Sequence, residues 1–509
     1  MAALVLSVAG AAAGAVFGPV GAIAGRIAGA VIGNMVDRAV FGTGAKDVEG
    51  PRLADLDVMA STEGAAIARV YGRARLAGQV IWATPLEEVV SVEDNPGGGK
   101  ATAMVSGGGG GTSTTYSYFA NFAVGLCEGP IGRVGRVWAD GKPLDLTRFN
   151  VRVHRGDETQ AADELIVARE GAANAPAYRG LAYIVFERMA LADFGNRIPQ
   201  LSFEIVRPVG ELERMVRAVT LIPGTTEFGY EPSEVVRQMG PGQSAPENRH
   251  IANARSDVVA ALDELQAVCP RLERVALVVA WFGDDLRAGV CRVEPGIDNA
   301  VKQTIGAEWA VAGVARAGAR LVSLVDGGPA FGGTPSDDSV RHLIAELKAR
   351  GLKVTFYPFV MMDVPHGNAR PDPWSGAASQ PAYPWRGRIT CDPAPGQPGS
   401  PQGTATAAAQ VAQFFTGGEW NYRRMVLHYA SLVAGAGGVE AFLIGSELKA
   451  LTRVRGEGNY PAVDALVSLA AEVKAIVSGA TLVTYAADWT EYGADVIDAG
   501  ASEVRFPLD

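Results

Sequence analysis

The spacing of apolar positions changes twice along the chain, and each stretch predicts a different architecture. Residues 1–45 are apolar and almost uncharged: nothing charged precedes Arg26, and only Asp37 and Arg38 follow it. Glycine recurs there every three or four residues, at Gly10, Gly14, Gly18, Gly21, Gly25, Gly29 and Gly33. On a helix that spacing stacks the glycines on one face, where a second helix can approach closely. From residue 46 to about 210 the pattern becomes short alternating runs punctuated by glycine, which predicts β-rich domains. Residues 211–255 mix strand, loop and helix signals and read as a connecting segment. Over 256–509, amphipathic helices alternate with continuous apolar strands, which predicts a parallel sheet covered on both faces. The expected fold class is multidomain α+β: a glycine-rich helix, β-rich domains, then a βα domain.

The first segment is longer than the roughly 20 residues that span a bilayer. A cleaved signal peptide fits poorly, because no positive residue precedes the apolar run. A resident transmembrane anchor is weakened by Pro19 and by the glycine density, which make a poor solitary helix. A Gly/Ala helix buried against the main body is the plainest alternative. The favoured expectation is a helix that packs against copies of itself in an oligomer and meets lipid only on triggering.

In the β-rich stretch, residues 66–71 and 73–83 read as two strands with a turn at Gly72. Residues 95–115 read as a mobile hairpin loop. The run Gly97-Gly98-Gly99-Lys100 is no phosphate loop, since Asp94 and Ala101 stand where that motif needs Gly and Ser or Thr. Strand signals resume at 116–119 and 122–126, then before the Asp140-Gly141 hairpin signal, and again at 183–186 and 201–206.

In the βα stretch, helix 256–268 opens with Ser256 as N-cap and leads to strand 274–281. A second strand ends at 321–326. Helices 337–350, 421–434 and 463–477 lead to strands 353–360, 440–445 and 481–486, with Pro358 expected near a strand end. Five such strands open either a barrel of eight or a doubly wound sheet; the missing dinucleotide fingerprint after the first strand counts against the latter. Polar residues gather past the strand ends, where barrel active sites lie: Trp281 with Asp284 and Asp285, Asp326, Asp363 with His366, Ser446 with Glu447, and Asp488, Trp489 and Glu491. Glu447 is placed to protonate a glycosidic oxygen, while Trp281, Asp284, Asp326, Asp363, Trp489 and Glu491 could hold a glycan. The plain alternative makes these residues helix caps and salt bridges. Residues 364–403 hold nine prolines with Trp374 and Trp385, a loop that serves as a lid, a contact surface or a flexible excursion.

Composition narrows this picture. A chain of 509 residues accommodates about three or four domains. With 45 Lys+Arg against 55 Asp+Glu, the net charge of −10 disfavours wholesale phosphate-backbone binding. Four scattered cysteines (Cys127, Cys269, Cys291, Cys391) and five histidines give no metal-ligand spacing, so no metal and no cofactor are expected.

The phrases VYGRARLAGQVIWA, CEGPIGRVGRVWADGK, HRGDETQ and YRGLAYIVFERMALADFGNRIPQLSFEIVRP, across about residues 50–210, resemble the hub region of long-tailed phage tail-tip proteins. They look most like the baseplate "megatron" proteins of gene transfer agents. GLKVTFYPFVMMDVP, FLIGSELKALTRVR and YPAVDALVSLAAEVKAIVSGATLVTYAADWTEY resemble the TIM-barrel-like domain of the same family, itself similar to glycoside hydrolases. The resemblance implies a virion protein at the distal end of the tail, a homotrimer whose β domains close the tail tube. Its implied partners are the distal tail protein, the hub protein, the tail peptidase and the host envelope or membrane. DNA would pass through the channel without sequence-specific binding, and the glycine-stepped helices would plug that channel until release. Glu447 would correspond to the general acid after the fourth barrel strand. The nucleophile of such enzymes follows the seventh strand, beyond Asp509, so the sequence reads as the N-terminal portion of a longer chain with an incomplete barrel. The alternatives are a glycoside hydrolase acting on envelope glycan and a non-catalytic glycan-binding or spacing barrel. A second carboxylate about 5–9.5 Å from Glu447 supports the enzyme; a Glu447 held in a salt bridge supports the others.

Overall fold

The computed structural model describes residues 48–49, 64, 66–95, 111–477, 479–493, 495–498, 502–505 and 508. The glycine-stepped segment 1–45 and the glycine-rich residues 96–110 lie outside them. Two sheets come first, antiparallel except where Val48–Glu49 runs parallel to Ser113–Thr114. Strands β1 (Gly72–Ala77), β2 (Gln79–Ala83), β3 (Glu87–Asn95), β4 (Gly111–Glu128), β5 (Arg133–Ala139), β6 (Lys142–Pro143) and β7 (Asn150–His154) precede helix α1 (Glu164–Glu170), with β8 (Leu181–Ala190) and β9 (Leu201–Arg207) after it. One sheet is built on the 18-residue strand β4, which pairs with β2 and β3 and with β8, itself paired to β7. The other runs β1-β9-β5-β6.

The pleat explains why β4 and β8 read as unbroken apolar runs. Phe122, Val124, Ile184 and Phe186 face Val137, Phe203 and Ile205 of the second sheet, while Ala123, Tyr183 and Val185 on the opposite face meet Leu165 and Ile166 of α1. With both faces covered, alternation disappears. The expected strands 116–119 and 122–126 are one strand, whose pairing with β8 shifts register between Ala120 and Phe122. Residues 66–71 are not a strand; Gly72 opens β1 instead, and the break between sheets falls at Gly78. A Cβ there would lie 2.1 Å from Val124 Cγ1, so the crossing needs glycine. Gly78→Ala is expected to cost about 1–3 kcal/mol of unfolding free energy by chemical denaturation. The hairpin read at Asp140-Gly141 is present, with φ of 49° and 79° closing β5 onto β6.

The second unit is a parallel sheet of strands β10 (Ala218–Leu221), β11 (Arg274–Gly283), β12 (Lys353–Met362), β13 (Ala441–Ser446) and β14 (Leu482–Ala486). Its helices are α2 (Asp257–Val268), α3 (Asp337–Ala349), α4 (Ala405–Thr416), α5 (Tyr422–Gly435) and α6 (Pro461–Ile476). The strands pair in the order in which the chain makes them, each with its sequence neighbour. A doubly wound sheet reverses its order at a switch point, so sequential pairing selects the barrel type.

Four expectations change here. The first strand, β10, lies in the segment read as a connector, because a four-residue edge strand gives little pattern. The stretch 321–326 is not a barrel strand: Leu324–Val325 folds back on Gly328–Pro329 around Asp326 (φ 51°) and Gly327 (φ 80°). Pro358 sits inside β12, beyond the Thr355 and Phe356 ladder to β13. At the N-cap of α2, the Ser256 hydroxyl donates to the Pro232 carbonyl (2.9 Å) and makes no cap bond.

The sandwich meets the barrel through charged groups: Arg133 Nη1 donates to Ala260 O (3.0 Å) on α2, Arg249 Nη2 to Asp145 (2.7 Å), and Arg73 pairs with Glu264. The excursion between β11 and α3 is anchored by Lys302, whose side chain is 2% exposed. Its ammonium donates to Glu247 (2.6 Å) and Asp298 (2.6 Å) and lies 3.1 Å from Glu227. Arg316 also holds Glu227, at 2.6 Å. None of the helices among the described residues is long and apolar enough to cross a membrane.

Candidate functional site

Glu447 follows β13 in the left-handed region, at φ 52°, a backbone state that an L residue adopts only when its surroundings enforce it. Strand β14 does so. The Glu447 N–H donates to Ala486 O (3.0 Å), and the next N–H, of Leu448, donates to the Tyr485 hydroxyl (2.8 Å). That hydroxyl in turn donates to Glu491 Oε1 (2.9 Å). Glu491 is buried and also accepts from Thr452 Oγ1 (3.0 Å) and the Asp488 N–H (2.7 Å). Burial nonetheless pushes its carboxyl above the ordinary range.

The carboxylate end is organised by the proline-rich insertion. Trp385 Nε1 (2.9 Å) and Arg386 Nη2 (2.7 Å) both donate to Glu447 Oε2. Arg386 also donates through Nε to Ser446 O (3.0 Å) and through Nη2 to Ser446 Oγ (3.0 Å), and its guanidinium lies over the Phe359 ring at 3.7 Å. The Arg386 side chain is 6% exposed and that of Glu447 36%. The arrangement presents a carboxylate as an acceptor to a buried cation and an indole; it is an ion pair first.

The other residues singled out from sequence scatter. Trp281 is fully buried: its indole donates to the Tyr429 hydroxyl (2.8 Å) and packs edge-on against Trp420, so it offers a sugar no surface. Residues 275, 277, 279 and 281 of β11 face the helices, which turns Trp281 away from the barrel mouth. Asp284 accepts from the Arg292 N–H (2.8 Å), and Asp285 binds Arg287 (2.8 Å) and Gln380 (2.7 Å). Asp326 stands at a hairpin tip. Asp363 is buried, accepting from Arg320 (2.7 Å) and the Ser323 N–H (3.1 Å). Asp488 binds Thr490, and Trp489 is 83% exposed beside it. The structure thus brings Ser446, Glu447 and, through Tyr485, Glu491 together, and leaves the remainder apart. Sequence reading passed over Arg386, whose only signal is the Trp-Arg-Gly-Arg run at 385–388.

Among the described residues, Glu227, Glu247 and Asp298 bring carboxylate oxygens within 4.8 Å of one another. Lys302 already stands among them as their cation.

Fold and site together define a β-sandwich joined to a sequentially paired βα sheet of the barrel type, with a paired glutamate after its fourth strand. Residues 420–509, which carry α5, β13, Glu447, α6 and β14, match the family model of the GTA (gene transfer agent) TIM-barrel-like domain. The likeness of the βα stretch to the gene transfer agent TIM-barrel-like domain, drawn from the sequence, is borne out by that match. Among solved structures, a chain from the virion of a native gene transfer agent particle is 41% identical, over 42% of this chain and 44% of that one, at a TM-score of 0.25. A GH113 β-1,4-mannanase is 20% identical over 43% of this chain and 46% of its own, at a TM-score of 0.23. A GH113 β-mannanase from Alicyclobacillus acidocaldarius is 17% identical over 44% and 46%, at 0.22. The matches span less than half of each of these chains, and superpositions this partial assign no role to any residue. No curated protein matches the chain.

Proposed function

We propose that this is a structural protein of a gene transfer agent or siphophage-like virion, forming the trimeric hub at the distal tip of the tail. The observation that carries the reading is the GTA TIM-barrel-like domain on the same chain as a β-sandwich whose sequence resembles tail-hub proteins. In this role the sandwiches of three copies close the tail tube beside the distal tail protein, the hub protein and the tail peptidase. The glycine-stepped segment 1–45 plugs the channel and takes part in envelope penetration. A net charge of −10 suits a conduit whose wall must not arrest passing DNA.

Within this role the barrel acts as a contact module that does not hydrolyse glycan. The support is the pairing of Glu447 with Arg386: Oε2 accepts from the Trp385 indole and from the buried guanidinium, the arrangement of a structural ion pair. Electron microscopy of purified particles tests the structural reading. Three copies at the tail tip are expected; a protein found only as a free monomer, absent from every particle, overturns it.

A further inference from the structure

Beside Glu447 lies a cavity of about 460 Å³, within the roughly 300–1,000 Å³ range of small-ligand sites. The insertion lines it with Trp374, Trp385, Arg388 and Gln402, and the segment after Glu447 with Lys449 and Arg453. Three of these residues are cations, and no carboxylate lines the space. Among the described residues Arg388 and Lys449 have no ion-pair partner, and the Arg388 guanidinium sits over Trp374 at 5.9 Å. Arg453 spends one nitrogen on the Thr490 carbonyl (2.8 Å). Of the carboxylates nearby, Glu447 is held by Trp385 and Arg386, while Asp488 accepts from Thr490 and attracts Lys449 and Arg453 from outside the cavity lining. Trp385 is 40% exposed, which leaves ring surface free for a ligand.

An apolar seat rimmed by three cations and no carboxylate has a definite complement. We propose that this cavity binds a saccharide unit carrying a carboxylate or a phosphate, its ring against Trp385 and its anion among Arg388, Lys449 and Arg453. Indole faces take the apolar side of a pyranose, and guanidinium forks take planar or tetrahedral oxyanions. The proposal rests on the barrel being a contact module and adds the chemical class of what it contacts. Glu447 is then a positioning residue: it holds the Trp385 indole edge and so the plane of the ring.

Calorimetric titration of the full chain with trigalacturonate, mannose 6-phosphate and neutral mannotriose tests this. At least one acidic probe is expected to bind, and which one binds identifies the anionic group; mannotriose should bind at least about tenfold more weakly, and added salt should weaken the acidic probe. The double variant Arg388→Gln/Lys449→Gln should weaken the acidic probe about tenfold at an unchanged melting temperature. Equal affinity for mannotriose overturns the charge-based proposal and leaves a neutral-glycan module standing. No binding of any probe overturns the site altogether, while the position of the protein in the particle remains a separate result from microscopy.

Discussion

Lys302→Met is expected to lower the unfolding free energy by about 3–5 kcal/mol near neutral pH, because it strips the buried counter-ion from three converging carboxylates. The pH dependence gives the signature. Burial and the charge of Glu227 push Asp298 up to about 6 from an ordinary 3.8, so the fold favours its neutral form. That contribution is present below 3.8 and is lost as pH rises through 6. Glu227 runs the other way. Burial opposes its ionisation, yet the Arg316 hydrogen bond and the Lys302 charge hold it below its ordinary 4.5. Its contribution is present above 4.5 and lost as pH falls. Without the ammonium, Glu227 loses part of what keeps it charged and shifts toward the behaviour of Asp298. The deficit of the variant should therefore shrink as pH falls from about 8 to about 5, when the carboxyls take up protons. Denaturant unfolding across that window measures it; a deficit independent of pH would show that the carboxylates do not carry the penalty.

Arg386→Ala is the second large effect, again about 3–5 kcal/mol. The substitution leaves Glu447 with one donor and removes both bonds to Ser446 and the stack on Phe359. Glu447→Gln, which keeps an acceptor for Arg386, should cost only about 1 kcal/mol. A double variant, Arg386→Met/Glu447→Leu, should recover part of the Arg386→Ala loss, since a removed pair costs less than a broken one. If Arg386→Ala costs under about 1 kcal/mol, the guanidinium is not what holds the insertion to the barrel.

Much of the barrel was legible because β11, β12, β13 and β14 are apolar runs between amphipathic helices. The exceptions have physical reasons. Four residues at a sheet edge, Ala218 to Leu221, alternate too briefly to register as β10. The apolar residues of 321–325 were overvalued, although Asp326-Gly327 carried the same hairpin signal that was read correctly at Asp140-Gly141. Trp281 was assigned to the mouth because β11 is buried on both faces, so its sequence does not reveal which residues point to the helices. Glu447 stood out by its place after an apolar strand. Its partners did not, since they lie in a proline-rich stretch without periodicity.

Those partners lie 61 and 62 residues earlier in the chain. Closing a loop of that length costs entropy before any contact repays it. The strained turn at Glu447, its ion pair and the basic cavity beside it therefore depend on two distant segments at once. The insertion brings Trp374, Trp385 and Arg388 and the segment after β13 brings Lys449 and Arg453, so a change that loosens the insertion removes the ligand seat together with the ion pair.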